Sequence, residues 1–438
     1  MLVKLTLCLI ALFLLLGDRL YMQVNSGGTG LLHFVDIAIP LIAGAIMVFG
    51  RKPILPRFAA SRNLQCVLPY LVIGTFLPIL GVLSGDYPWR TLMTLVVSVR
   101  GLCMIAIGIW LAKQPPRTWT LLKRCIMFCI AIHASYTICQ FITYQGLGSS
   151  SILSWISTWD AQAMTDHKEA YLITSRSTGV FISPNNLGAW SLLAIWFSIT
   201  LLTGISGLVF TALSLVTLLL SESRGSMFGL LVALACTPVF LARMKRSVWL
   251  TLAATIVLTL GLGMLALSRG GAFQNEELQS TAMQDRMESG LAVFSGGASA
   301  DTNAESRVEV WLAALPFFMD HPLGTWGTPQ FLLNSFVDSE YMAALLQGSI
   351  PYVIALLLAF YGGIRVTSDP SLRAFLALSV VSLAVNGISA APFQYSSIGL
   401  YWLILGYAAV PVRAVVWLPR QSLTRGADLS PRLLQPGT

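Results

Sequence analysis

An all-α, polytopic integral membrane protein is the fold class that this sequence predicts, and three observations predict it. The 438 residues are 55% hydrophobic and only 11% charged, with a mean hydropathy of +0.74. Soluble globular proteins carry about 25% charged residues, so lipid must replace water over most of this surface. Twelve apolar stretches recur along the chain, at 5–17, 31–50, 64–83, 91–112, 125–144, 187–203, 208–220, 227–241, 248–267, 341–361, 374–391 and 398–410. A spanning helix needs roughly 17–25 apolar residues. The stretch at 208–220 is short and borrows Ile205 and Ser221 at its ends. The first follows Lys4 like a signal-peptide core, but Gly17 leads into Asp18, Arg19 and Tyr21 with no small-x-small step, so an uncleaved first span is expected.

The third observation is charge segregation. With both termini placed in the cytoplasm, 18 of the 27 Lys and Arg fall on inner segments, eight fall outside, and Arg100 lies within a span. Of the 19 acids, only Asp369 and Asp428 fall inside, Asp36 lies within a span, and the rest face outward. This is the positive-inside pattern. The overall charge of +8 is therefore an inner-leaflet contribution, and no nucleic-acid partner is expected. All seven cysteines lie in or beside spans, which excludes a disulfide framework. The pattern suits a bacterial inner (cytoplasmic) membrane with outer loops in the periplasm.

Most connections are short. Two are long, 145–186 and 268–340, and both face outward by the charge count. The expected organisation is one transmembrane helical domain over 1–412 that includes those loops. A disordered cytoplasmic tail follows over 413–438 and contains Pro431 and Pro436. No internal repeat is visible, so an inverted-repeat transporter has no direct support.

The outer segments hold the candidate chemistry. In the first, Arg176 and Gly179 precede Pro184, Asn185 and Asn186, with Asn186 a candidate N-cap of the next span. A guanidinium beside a helix N-terminus makes an anion site; the competing reading is ordinary loop and capping chemistry. Arg224 follows Ser221, Glu222 and Ser223 at an outer span end. Alone it reads as an interfacial arginine that snorkels to headgroups. In the second long loop, Thr302 and Glu305 form a capping box. Val308, Trp311, Leu312, Leu315 and Phe318 then recur at spacings of three and four, as in an amphipathic helix on the membrane surface. Arg307 and Trp311 share a face of it, against the plainer reading of a solvated face. The helix stops at His321 and Pro322, and Gly324 and Gly327 allow a turn.

Asp338 and Glu340 stand just before the span that Tyr341 opens. A carboxylate there is either a general base for a hydroxyl or a first-turn acid favoured by the helix dipole. A divalent-metal reading of the same pair lacks further carboxylates. Outside the spans only His167 and His321 remain, with no thiol near, so no zinc site is expected. Within the spans, an Asp36–Arg100 ion pair is the plain reading, and contact of Arg100 with lipid phosphate the alternative. Trp311 and Tyr341 are further candidates for structural or lipid contact.

These segments together resemble the O-antigen ligase and polymerase superfamily of bacterial inner membranes. That family shows Arg-x-x-Gly-x-Phe-x-x-Pro-Asn before a span, read here as Arg176, Gly179, Phe181, Pro184 and Asn185. It shows Ser-Arg-Gly between two spans, here Ser223, Arg224 and Gly225. It closes with Arg-x-x-x-Trp, a His-Pro-Leu-Gly turn and a short polar motif, here Arg307 to Trp311, His321 to Gly324 and Asp338 to Tyr341. The three blocks occur in order over about residues 170–360. Family ligases usually begin the last motif with a histidine, the proposed base. Asp338 stands there instead, which favours the polymerases.

The resemblance implies a GT-C-like membrane glycosyltransferase without a cofactor. Its substrate is an undecaprenyl-diphosphate-linked oligosaccharide met at the membrane lipid surface, and a chain-length regulator and a flippase are expected partners. Arg176, Arg224, Arg307 and Asn185 are then diphosphate ligands, and Asp338 or Glu340 the base. No metal is required where arginines serve. A glycan ligase is the near alternative. A flippase, the rival of another class, predicts charges along a central path and small outer loops, whereas only Asp36 and Arg100 lie within spans here.

Overall fold

The computed structural model describes residues 2–16, 21–23, 31–49, 61–85, 92, 95–144, 176–181, 183–242, 246–269, 302–326, 337–365 and 369–410. The expected tail and the greater part of both long loops, Gly327 included, lie outside the described residues. The chain is helical: α1 Leu2–Leu16, α2 Phe34–Phe49, α3 Arg62–Leu83, α4 Leu95–Ala112, α5 Arg117–Tyr144, α6 Pro184–Leu201, α7 Gly204–Ser221, α8 Arg224–Leu241, α9 Arg246–Arg269, α10 Thr302–Asp320, α11 Glu340–Ile364, α12 Pro370–Asn386 and α13 Gly399–Ala408. Each predicted apolar stretch overlaps one of these helices. By length and composition alone, six among the described residues suffice to cross a membrane: α3, α4, α5, α7, α8 and α11.

The predicted second span begins differently from expectation. Leu31–His33 is a short strand, β2, antiparallel to β1, Tyr21–Gln23, with Tyr21 opposite His33. Helix α2 therefore starts at Phe34, and Asp36 sits in its first turn rather than within its body. Apolarity alone does not separate a β-paired residue from a helical one, so the boundary was invisible to hydropathy.

Helix α6 is the centre of the bundle. It is buried along nearly its whole length, with Trp190 and Trp196 enclosed, and it packs against α7, α8 and α12. Small residues let backbones approach where helices cross, as in other membrane bundles. A Cβ on Gly108 of α4 would lie 2.1 Å from Leu403 O of α13, and one on Gly406 of α13 would lie 2.2 Å from Ile105 O of α4. One on Gly229 of α8 would lie 2.4 Å from Ser382 O of α12. Helices α8 and α12 run antiparallel, because Gly225 meets Asn386 and Ser389 while Gly229 meets Ser382.

These contacts define two ends of the bundle. One gathers the starts of α6, α8 and α11 with the ends of α7 and α12. The other receives the starts of α5 and α12, where Lys123 donates to Leu201 O at the end of α6 (3.3 Å).

Candidate functional site

The first motif is laced between α5 and the turn after α7. The Ser177 N–H donates to Leu220 O (3.0 Å). The Arg176 guanidinium donates through Nε to Ser221 O (3.3 Å) and through Nη2 to Glu222 O (3.4 Å). From the other side Gln140, near the end of α5, accepts from the Thr178 and Gly179 N–H groups. Gly179 has φ +59°, which L side chains rarely adopt. The N-cap of α6 is Ser183, not Asn186: its hydroxyl accepts the Asn186 N–H at 3.1 Å, and Pro184 takes the first helical position. Asn186 therefore sits at the third helical position, where its own N–H is the group being capped.

The second motif abuts the first. Helix α7 ends on Glu222 in a left-handed conformation, φ 49° and ψ 31°. Ser223 then starts α8 without a side-chain cap bond to the helix. Its hydroxyl instead donates to Asn185 Oδ1 (3.3 Å) and shares a hydrogen bond with Ser226 Oγ (2.9 Å). Gly188 makes the approach possible, since a Cβ there would lie 2.4 Å from Ser226 Oγ. Arg224 is the first residue of α8, two positions after the carbonyl that takes Arg176. The Arg176, Asn185 and Arg224 segments are thus joined by hydrogen bonds.

The third motif separates its two acids. Arg307 Nη2 faces Asp338 Oδ2 at 3.6 Å, with the side chains 33% and 47% exposed. Glu340 is 2% exposed. Its Oε1 accepts from Tyr70 OH (2.9 Å) and its Oε2 from the Phe393 N–H (3.1 Å). Between them Ser339 caps α11. The Glu340 N–H donates to Gly387 O and Ala390 O, both at 2.9 Å, and Tyr341 OH to Ala384 O (2.7 Å). Asp338 is half-exposed in its pair with Arg307, whereas Glu340 ties α11 to α3 and to the turn after α12.

The three motifs share one end of the bundle. Gly225, next to Arg224, packs on Asn386 and Ser389; the carbonyls of Gly387 and Ala390 hold Glu340; two residues before it, Asp338 holds Arg307. Trp311 is half-buried one turn after Arg307, and its indole N–H is buried with no partner among the described residues. Arg100, 4% exposed within α4, donates to Gln394 O (3.2 Å), next in the chain to the Phe393 N–H that binds Glu340. The Asp36 side chain is outside the described residues, so the expected pair with Arg100 stays an expectation.

Helix α10 is docked through the turn that follows it. Gly324 has φ +85°, and Thr325 and Trp326 donate their N–H groups to Leu346 O (2.8 Å) and Gln347 O (2.9 Å) of α11. Helix α11 is broken there, with Ser349 at φ 60° and ψ −164°. Pro351 has no N–H to offer Gln347 O, and in an unbroken helix its ring would crowd that carbonyl. The turn supplies the missing donor.

Sequence reading missed Gln140 and Tyr70. Each is a polar side chain inside an apolar helix, which is the available signal, but its partner is distant in sequence, the Thr178 segment for Gln140 and Glu340 for Tyr70. Among the described residues no group of three His, Cys, Asp or Glu is placed to hold a metal ion.

Fold and site together define a polytopic membrane protein that gathers three arginine-bearing segments and a half-exposed carboxylate at one end of its bundle. Residues 209–352 match the family model described as O-Antigen ligase. That stretch runs from within α7 to within α11 and holds Arg224, Arg307, Asp338 and Glu340. It supports the O-antigen ligase and polymerase superfamily, and with it a glycosyltransferase-like enzyme of a bacterial membrane; it does not separate ligase from polymerase. No curated protein matches the chain.

Proposed function

We propose that the protein polymerises oligosaccharide repeat units carried on undecaprenyl diphosphate, for an exopolysaccharide or O-antigen. Both termini are cytoplasmic and the site is periplasmic in this reading. The observation that carries it is the gathering of the Arg176, Arg224 and Arg307 segments at one end of the bundle, with Asp338 facing Arg307. A hydroxyl of the new lipid-linked repeat attacks the anomeric carbon of the growing glycan. A C–O bond forms, the bond to the lipid diphosphate breaks, and the diphosphate leaves with the electron pair. The hydroxyl proton passes to Asp338.

Arginine suits the leaving group because its planar fork donates to two oxygens at once and keeps its charge. Donors already in place where charge develops lower the barrier without reorganisation. The Arg307–Asp338 pair is half-exposed, and such pairs contribute about 0–1 kcal/mol. A diphosphate that takes Arg307 therefore releases Asp338 toward the acceptor at little cost. Asn185, held by Ser223, completes the diphosphate side. A chain-length regulator and a flippase supplying the repeats are the expected partners.

Transfer of finished glycan to a separate acceptor is the second reading, favoured by the family description. Purified lipid-linked repeat in proteoliposomes separates the two. A glycan ladder formed with no other acceptor is the expected result. Transfer only after a second acceptor is added makes the protein a ligase, and translocation without new glycosidic bonds makes it a flippase.

A further inference from the structure

We infer that Gln140 is a positioning residue for Arg176; the inference rests on the reading above in taking Arg176 as a diphosphate ligand. Gln140 is 1% exposed, in the last turns of α5. One oxygen, Oε1, accepts two consecutive backbone N–H groups, Thr178 at 3.0 Å and Gly179 at 2.9 Å. Its Nε2 donates to Thr178 Oγ1 (3.2 Å), so the carboxamide closes around a single residue. The clamped segment is itself neither helix nor strand, and Thr178 and Gly179 are buried. Two residues before the clamp, the guanidinium of Arg176 lies along Ser221 O and Glu222 O.

The segment is thus fastened twice, to α5 by Gln140 and to α7 by the Ser177 N–H and Arg176. The two carbonyls orient the guanidinium at its tip, and the clamp fixes the backbone from which the side chain starts. His133, two turns earlier on α5, stacks on Phe181 at 4.8 Å and 9° and holds the far end of the same segment. Helix α5 therefore acts as a rail for the whole first motif. The family match at 209–352 does not reach it.

The test is a double-mutant cycle read by binding of inorganic pyrophosphate to the purified full-length protein in detergent. Gln140→Met keeps length and removes the clamp. It should weaken pyrophosphate binding about tenfold in the presence of Arg176, and by no more than about twofold in an Arg176→Ala background, because coupled residues are not additive. Gln140→Glu retains the two acceptor contacts and should bind within about threefold of the parent, which decides the matter if the methionine variant does not accumulate.

Binding unchanged in Gln140→Met, an equal loss in both backgrounds, or a tenfold loss in a well-folded Gln140→Glu overturns the inference. So does a parent protein that does not bind pyrophosphate, or one whose binding ignores Arg176→Ala. Ladder formation from lipid-linked repeat is scored separately. Coupling without a ladder keeps the positioning role and removes the polymerase reading; an Arg176-dependent ladder without coupling does the reverse.

Discussion

Asp338 and Glu340 are two residues apart and equally acidic, yet the cap at Ser339 sends them to different fates. Asp338 faces Arg307 in a half-exposed pair, and Glu340 has both oxygens occupied by Tyr70 and the Phe393 backbone. Their substitutions should part accordingly. Asp338→Asn should leave thermal stability in detergent unchanged and slow ladder growth by about 10²–10⁴, the usual weight of a general base. Glu340→Ala should lower stability instead, by about 1–3 kcal/mol for each donor left buried without an acceptor, seen as an earlier thermal midpoint. Equal kinetic losses with unchanged midpoints would contradict this division. The sequence placed both acids correctly at a helix start but offered no means of ranking them. The ranking depends on Tyr70, 270 residues from its partner.

At the scale of elements, α10 is more than a surface helix. Its inner side packs Ala314 and Phe318 against Val337, Ala343 and Leu346, while Leu312, Leu315 and Met319 remain exposed. Its following turn bonds to the seventh and eighth residues of α11. At 1.5 Å per residue that is about 10 Å along α11 from its start. In the periplasmic orientation proposed above, the C-terminal half of α10 would then dip into the outer leaflet, with the exposed stripe against acyl chains. In a protein freed of its seven native cysteines, Met319→Cys should react slowly with a membrane-impermeant thiol reagent and Glu309→Cys quickly; similar fast rates would place the helix in water. Periodicity made α10 legible as amphipathic. Its docking was not legible, because the break in α11 that receives the turn is hidden in an apolar run. Pro351 was the available signal, and only the partner turn gives it meaning.

Across the molecule, charge and close packing carry the architecture. The apolar stretches and the Lys and Arg asymmetry sufficed to read a helical membrane protein. The centrality of α6 was not readable, since its stretch is no more apolar than its neighbours. What distinguishes it is burial on all sides by α7, α8 and α12. Gly229 supports the close approach of two of these, α8 on α12. Gly229→Leu should cost roughly 1–3 kcal/mol through overpacking, measured as a lower thermal midpoint and less folded protein in membranes. An unchanged midpoint would mean that the two helices separate freely.

The same antiparallel run brings Arg224 to the end of the bundle where α11 begins, and so joins three motifs scattered over more than a hundred residues. If these motifs form one diphosphate site, ladder growth from purified lipid-linked repeat in proteoliposomes depends on all three arginines. Arg176→Ala, Arg224→Ala and Arg307→Ala, each inserted at parental levels, should each slow growth by about 10²–10³. A parental ladder from any of the three would contradict it.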